Sequence, residues 1–373
     1  MPLARQTVAV RSSSPTSPRR PPDSSWFRVL HGNGWSAVLA WLMLLYGLGT
    51  GILLGLGWWL GDTTWWLFVA NLSVFYWLAP AVVGTVAALL WRWWPVAVVC
   101  AVGAVIWLGT FGPLFLPQRV ASVQTLRIAT YNVSPDPQVG HVARLVARTS
   151  PDVLLVQEVL PGAQDALAAA LPSLPHRHFA PVNTRAPGGG GTAVLSRFPI
   201  VGVQPVEGLP RTSRPTDFVS LDTGDGVVTV VSLHLTSPCG ECRGRDGAAA
   251  RMRALERDAQ VRQAEVARIA AALPAGPLVV GGDLNSGTFN VPRRRLLSTG
   301  LTDLHRAVGA GPGFTRFRSY GLFRIDWLLA SPDIVPVREW VERRDGSEHR
   351  PVVAEVALPS VSAGDPVGAH LQR

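Results

Sequence analysis

No lysine occurs in the 373 residues, and all 34 basic side chains are arginine. That excludes the chemistries built on an ε-amino group: the P-loop phosphate site, the Schiff-base lysine and the Ser-Lys dyad. Cysteine is nearly as scarce, at 3 residues. Cys100 lies inside an apolar run, while Cys239 and Cys242 form a lone C-x-x-C with no histidine close in sequence to complete a four-ligand zinc site. In an oxidising compartment that pair reads as a local disulfide or as two free thiols, and both readings stay open. Carboxylates are missing from the first third of the chain, where only Asp23 and Asp62 are acidic before residue 118. Twelve of the 14 tryptophans fall in the same stretch. Such a composition suits a bilayer, because Trp collects at the headgroup boundary and ionised carboxylates are costly in hydrocarbon.

What is present divides the chain. Residues 1–34, rich in Ser, Pro and Arg, have little to bury and read as a disordered basic arm. Three apolar stretches follow, about 35–61, 65–91 and 95–117, each long enough to cross a bilayer as a helix. A cleaved signal peptide is the competing reading of the first, but its apolar length is too great and two more stretches follow. Arg5, Arg11, Arg19, Arg20 and Arg28 precede the first span, Asp62 occupies the first turn and Arg92 the second. The positive-inside rule then predicts a multi-pass cell-membrane protein, its N-terminus cytoplasmic and everything after residue 117 outside. The net charge of +9 favours anionic partners without choosing among lipid headgroups, phosphate esters and nucleic acid.

From residue 126 the pattern becomes strands alternating with helices. Strands are expected near 126–132, 153–157, 192–196, 227–235, 278–282, 324–330 and 352–357, with helices at 139–149 and 248–273. This is an α/β domain, and the tail at 359–373 reads as disordered. Polar residues recur where the apolar strands stop, which is where open α/β sheets hold their ligands. They are Asn132, Glu158, His234, Asp283, Asn285, Asp326, Glu348 and His349. An oxygen-rich set with few imidazoles suits Mg2+ or Mn2+ better than zinc. Taken singly, each has an ordinary reading. Asn132 can end a strand, Asp283 in G-G-D-L-N can make a turn, and either histidine can be a hydrogen-bonded core residue.

Taken in order, the set resembles the endonuclease/exonuclease/phosphatase superfamily of DNase I-like nucleases, inositol polyphosphate phosphatases and bacterial sphingomyelinases. The carriers are Tyr131-Asn132, Gln157-Glu158, S-R-F-P-I at 196–200, His234, the G-D-L-N around Asp283 and Asn285, R-I-D at 324–326 and S-E-H-R-P at 347–351. The resemblance covers residues 125–358 and implies two packed mixed β-sheets flanked by helices, a four-layer sandwich, here preceded by three transmembrane helices in 35–117. It implies Glu158, Asn132 and Glu348 as metal ligands and Asp283 as the residue that orients or deprotonates water. Asn285 would hold water or phosphoryl oxygen, His234 and His349 would donate to the phosphoryl group, and Asp326 would orient His349. Glu348 departs from the family, where most members carry Asp before the histidine. The three spans make the chain similar to a membrane-anchored bacterial subgroup, the VanJ-type teicoplanin-resistance proteins.

Three functions remain in view. The first is a metal-dependent phosphatase or pyrophosphatase acting on a lipid-linked or membrane-proximal phosphate, with the bilayer as partner. The second is an extracytoplasmic nuclease, for which the sequence offers the basic cluster Arg293 to Arg295 but no evident stripe of aromatic and basic residues. The third is a non-catalytic binding module. The run Gly188 to Gly191 reads as a flexible loop rather than a phosphate cradle.

Overall fold

The computed structural model describes residues 34–116, 125–134, 138–186, 190–238, 247–317 and 321–359. The expectations for the N-terminal arm, the C-terminal tail, Cys239 and Cys242, and Gly188 with Gly189 lie outside those residues.

The first apolar stretch is helix α1 (Trp35–Trp59), whose 25 residues span about 37 Å. The second is a pair, α2 (Trp65–Leu72) and α3 (Val74–Leu90), bent by 62°. The third is α4 (Trp94–Phe111), prolonged by a 3-10 turn to Phe115. Two helices are thus long and apolar enough to cross a membrane, and a third crossing requires the bent pair to act as one span. Uniform hydropathy carried no sign of that bend. At the break the Ser73 hydroxyl donates to the Val69 carbonyl at 2.7 Å, the local competition for backbone acceptors that bends helices. Large apolar side chains such as Trp35, Leu42, Ile52, Val83 and Val98 stay exposed on the outside of the bundle.

The remainder packs two six-stranded sheets face to face. One has the order β11-β12-β1-β2-β4-β3, with β1 Leu126–Asn132, β2 Val153–Val159, β3 His176–Phe179, β4 Gly191–Ser196, β11 Val335–Val341 and β12 Val352–Ala357. The other has the order β5-β6-β7-β8-β10-β9, with β5 Ile200–Pro205, β6 Asp217–Asp222, β7 Val227–His234, β8 Leu278–Asp283, β9 Thr302–Asp303 and β10 Asp326–Ala330. Side-chain alternation builds the layers. Leu126, Ile128, Val153 and Leu155 meet Val230, Val279 and Leu328 between the sheets. Their neighbours Ala129, Tyr131, Leu154 and Val156 face outward onto α5 (Gln138–Thr149) and α6 (Gln164–Ala170). Val231, Val280, Trp327 and Leu329 likewise face α7 (Ala248–Ala272) and α8 (Val291–Leu297). Burial on both faces explains why these strands read as apolar runs.

The centre of each sheet is a parallel pair, β1 with β2 and β7 with β8. Parallel neighbours end on the same edge, so the carboxyl ends of four strands from two sheets open together. The two pairs are tied by polar contacts across the sandwich. Gln157 Nε2 donates to Ser232 Oγ at 3.0 Å, and Ser232 Oγ donates to the Val156 carbonyl at 3.0 Å.

Candidate active site

Asn132 closes β1, Glu158 lies one residue from the end of β2, His234 closes β7 and Asp283 closes β8. Register then sets the rest. Asp283 lies opposite His234 on one side and Asp326 on the other. Asn132 Nδ2 donates to Glu158 Oε1 at 3.2 Å and to Asp283 Oδ2 at 3.1 Å, joining the two sheets at a single amide. His234 Nε2 stands 3.6 Å from Glu158 Oε1 and 3.8 Å from Asp283 Oδ2. His349 Nε2 approaches the same Asp283 oxygen at 3.7 Å, while its Nδ1 meets Asp326 Oδ2 at 2.9 Å. Asn285 donates its backbone N–H to Asp283 Oδ1 at 2.8 Å and its side-chain amide to the Leu235 carbonyl at 2.9 Å. Seven of the eight candidate residues therefore converge on one locus.

The backbone is strained at this locus. Glu158 has φ 62° and Asn285 φ 48°, both in the left-handed region that non-glycine residues seldom occupy. Glycine allows the first: a Cβ at Gly190 would come within 2.6 Å of the Glu158 Cα, so only a bare backbone passes there.

Glu348 is the exception and a correction. Its side chain is 56% exposed and pairs with Arg316 at 2.6 Å, so the structure places it outside the cluster. Hydrogen bonding at the bend 346–348 is the reason. Ser347 turns inward, donating its hydroxyl to the carbonyls of Asn132 and Ser134 and accepting the His349 N–H, and this sends Glu348 outward. Ser347 and Gln157 thus orient the site without having been singled out for it. Arg316 forms a β-bridge with His349 and so joins the surroundings of the site.

Burial sets the electrostatics. It lifts the Asp283 carboxyl to about 6, helped by the Asp326 charge and opposed by His349. The same burial would discharge His349, but Asp326 and Asp283 outweigh it and hold its pKa above the ordinary value. His234 is driven well below, first by burial and then by Arg214 and His349. A neutral His234 whose buried Nδ1 meets no partner among the described residues carries its proton on Nε2, toward the carboxylates.

The Glu158 carboxylate beside the Asn132 amide is a hard oxygen donor that fits a divalent cation, and the Asn132 oxygen accepts the Ser134 N–H at 3.2 Å. A tighter triad exists in Asp283, Asp326 and His349, whose ligand atoms lie within 4.8 Å of one another. A cation there would compete with the His349–Asp326 hydrogen bonds, so the Glu158 side is the better seat.

Comparison with known proteins agrees with this architecture. The profile of the Endonuclease/Exonuclease/phosphatase family matches residues 129–349, 221 of the 373. A crystal structure of an endonuclease/exonuclease/phosphatase from Beutenbergia cavernae is 24% identical over 64% of this chain and 72% of its own, with a TM-score of 0.50. A conserved protein of unknown function from Enterococcus faecalis aligns at 20% identity over 62% of this chain and 99% of its own, with a TM-score of 0.49. A 3′ phosphatase from Neisseria, bound to a product DNA hairpin, aligns at 22% identity over 62% of this chain and 99% of its own, also at 0.49. A search of curated proteins gives no match. With the profile spanning more than half its length, the chain belongs to the endonuclease/exonuclease/phosphatase family, whose members hydrolyse phosphoesters and typically depend on a divalent metal.

Proposed function

We propose that this chain is a membrane-anchored, Mg2+- or Mn2+-dependent phosphoesterase that removes phosphate from a lipid-linked substrate at the bilayer surface. The observation that carries the reading is one loop serving both the site and the anchor. Arg316 lies against His349, whereas Phe314 and Phe323 of the same loop pack on Phe75 and Tyr76 of α3. The Tyr76 hydroxyl donates to the Leu322 carbonyl at 2.7 Å. An amphiphile lying in the bilayer would meet aromatic surface first and a guanidinium beside the catalytic cluster next.

The chemistry follows from the charge states. A phosphoester or pyrophosphate is anionic and repels an attacking nucleophile, so its oxygens must be neutralised while water is deprotonated. Were a cation bound, Glu158 would hold it beside the Asn132 amide, and it would supply the first by polarising a phosphoryl oxygen. Asp283 Oδ1 is fixed by the Asn285 N–H, leaving Oδ2 to take the proton of the attacking water. A carboxyl lifted to about 6 is a stronger base than an ordinary aspartate and still mostly ionised at pH 7. His349, kept protonated by Asp326, donates from Nε2 to the developing charge, and neutral His234 donates beside it.

The nuclease reading loses its main support once its basic cluster is placed. Arg293 pairs with buried Asp303 at 2.7 Å, and Arg294 reaches the Gly57 carbonyl and lies over Trp58, so neither is available to a nucleic-acid backbone. The test offers purified full-length protein undecaprenyl pyrophosphate, a phosphatidyl substrate and plasmid DNA, each with Mg2+ or EDTA. Metal-dependent phosphate release from lipid is expected. Nicked plasmid without lipid turnover favours the nuclease, and no turnover on any substrate favours a binding module. A role in glycopeptide resistance would appear as a lowered teicoplanin tolerance in cells lacking the protein.

A further inference from the structure

Asp62 is one of only two acidic residues before residue 118, yet its carboxylate is buried rather than facing solvent in its turn. Oδ1 accepts from Asn71 Nδ2 at 2.8 Å and from Asn290 Nδ2 at 2.9 Å, and Oδ2 accepts the Val291 N–H at 2.8 Å. Two of those three donors belong to the catalytic domain, more than 200 residues away in sequence. Asn290 is itself fully buried, donates also to the Phe68 carbonyl of α2, and accepts the Gly287 N–H at 2.8 Å. Gly287 rests on the helix break: a side chain there would begin 3.1 Å from the Cα and carbonyl oxygen of Leu72. Two residues before Gly287 stands Asn285, whose N–H fixes Asp283.

A second route leaves the same short helix. Arg262 of α7 lies 4.7 Å over the Phe68 ring and donates to the Thr236 carbonyl at 2.8 Å. Glu265 accepts both the N–H and the hydroxyl of Thr236, which is two residues beyond His234. Helix α2 therefore touches the loop after β8 directly and reaches the loop after β7 through Arg262. A tether needs none of this, since any flexible linker holds a domain near a membrane, and a buried carboxylate is costly unless fully hydrogen-bonded.

We infer that Asp62 and α2 are positioning elements of the active site: they hold the loop 283–290, so that hydrolysis of any phosphoester, water-soluble ones included, depends on the membrane segment. This rests on the phosphoesterase reading. It is tested on the full-length protein in detergent with Mg2+, using bis(4-nitrophenyl) phosphate, which makes no demand on a lipid site. The variants are Asp62→Asn, Asn290→Ala and the double variant D62N/N290A, a double-mutant cycle across the Asp62–Asn290 hydrogen bond. Because small displacements of a catalytic group cost up to about a hundredfold, each single variant is expected to lose about tenfold or more in kcat with KM within about twofold. The double variant should lose no more kcat than the worse single one, within about threefold, the signature of a coupled pair.

The inference is overturned if folded single variants keep their kcat, if the loss lies in KM alone, or if the two single losses in kcat simply multiply in the double variant. Should the single variants fail to fold, Leu72→Ala removes the side chain beside Gly287 and is judged by the same split between kcat and KM. A wild type that turns over neither this ester nor a lipid substrate defeats the phosphoesterase reading and this inference with it. An active wild type with unaffected variants defeats this inference alone.

Discussion

Asp283→Asn keeps the shape of the side chain and the acceptor for the Asn285 N–H while removing the base. If Asp283 takes the proton from water, kcat should fall by at least about a hundredfold with the fold intact, read as phosphate release against an unchanged unfolding midpoint. An undiminished rate would remove Asp283 from that role. A second aspartate does structural work. Asp303 is buried between Arg324 and Arg293 at 2.7 Å each. Burial pushes its pKa up, but the two guanidiniums win and hold it below the ordinary carboxylate value. A depressed pKa means stability that is full above the unfolded value near 4 and is lost as pH falls below it. Asp303→Asn should therefore cost about 3 kcal/mol at pH 7, and the gap to wild type should narrow at pH 3, measured by chemical unfolding in detergent. Most of the locus was visible in the sequence because a carboxylate or amide ending an apolar strand is conspicuous. Glu348 was misplaced because no composition rule says which of two adjacent polar residues, Glu348 or His349, turns inward. That is decided by Ser347, which is tied to a strand more than 200 residues away.

Among the elements, the strands legible in the sequence are those covered on both faces, such as β1, β2, β8 and β10, where layer packing demands apolar residues at every position. The strands missed are β3, β5, β6, β9 and β11. Of these β5, β11, β3 and β9 are sheet edges, and β5 and β11 alternate toward solvent, with β11 carrying Pro336 and charged residues. Edges tolerate such residues, so the apolar signal fails there. Helix α7, expected at 248–273, spans Ala248–Ala272, and its pattern hid a polar inner face. Its inward face carries Asp258, Arg262 and Glu265 beside Val266 and Ile269, a polar seam within an apolar stripe. Glu265 exists for Thr236 and Arg262, and burial raises its pKa against the hydrogen bonds from Thr236. Glu265→Ala should leave the buried N–H and hydroxyl of Thr236 without their acceptor and remove the charge beside Arg262, costing about 3 kcal/mol in unfolding free energy. Glu265→Gln, which keeps one acceptor, should cost clearly less, and equal costs would show the seam to be dispensable.

For the whole molecule, the decisive geometry is which ends of the apolar helices meet the catalytic domain. The turn holding Gly61 and Asp62 does so through Asn290, and the far end of α4 does so through Leu114, whose carbonyl accepts the Gly311 N–H at 2.7 Å. The other turn, at Arg92 with Trp91 and Trp93, lies one traverse away along α3 and α4. The catalytic domain and Asp62 therefore share a face, opposite Arg92 and the start of α1. Five arginines precede α1 in the sequence, and basic residues near the ends of spans are retained in the cytoplasm. The expected topology has the C-terminus outside the cell membrane. An alkaline phosphatase fused after residue 373 should be active and a green fluorescent protein at the same place dark, with the signals exchanged for fusions at Arg92. Replacing Arg5, Arg11, Arg19, Arg20 and Arg28 by Ser should weaken this bias and give a mixed population, because the docked face has no comparable run of arginine at its turn to take over. Bright fluorescence from the wild-type C-terminal fusion would put the catalytic cluster in the cytoplasm. Substrates on the inner leaflet would then replace those outside, with the chemistry of the site unchanged.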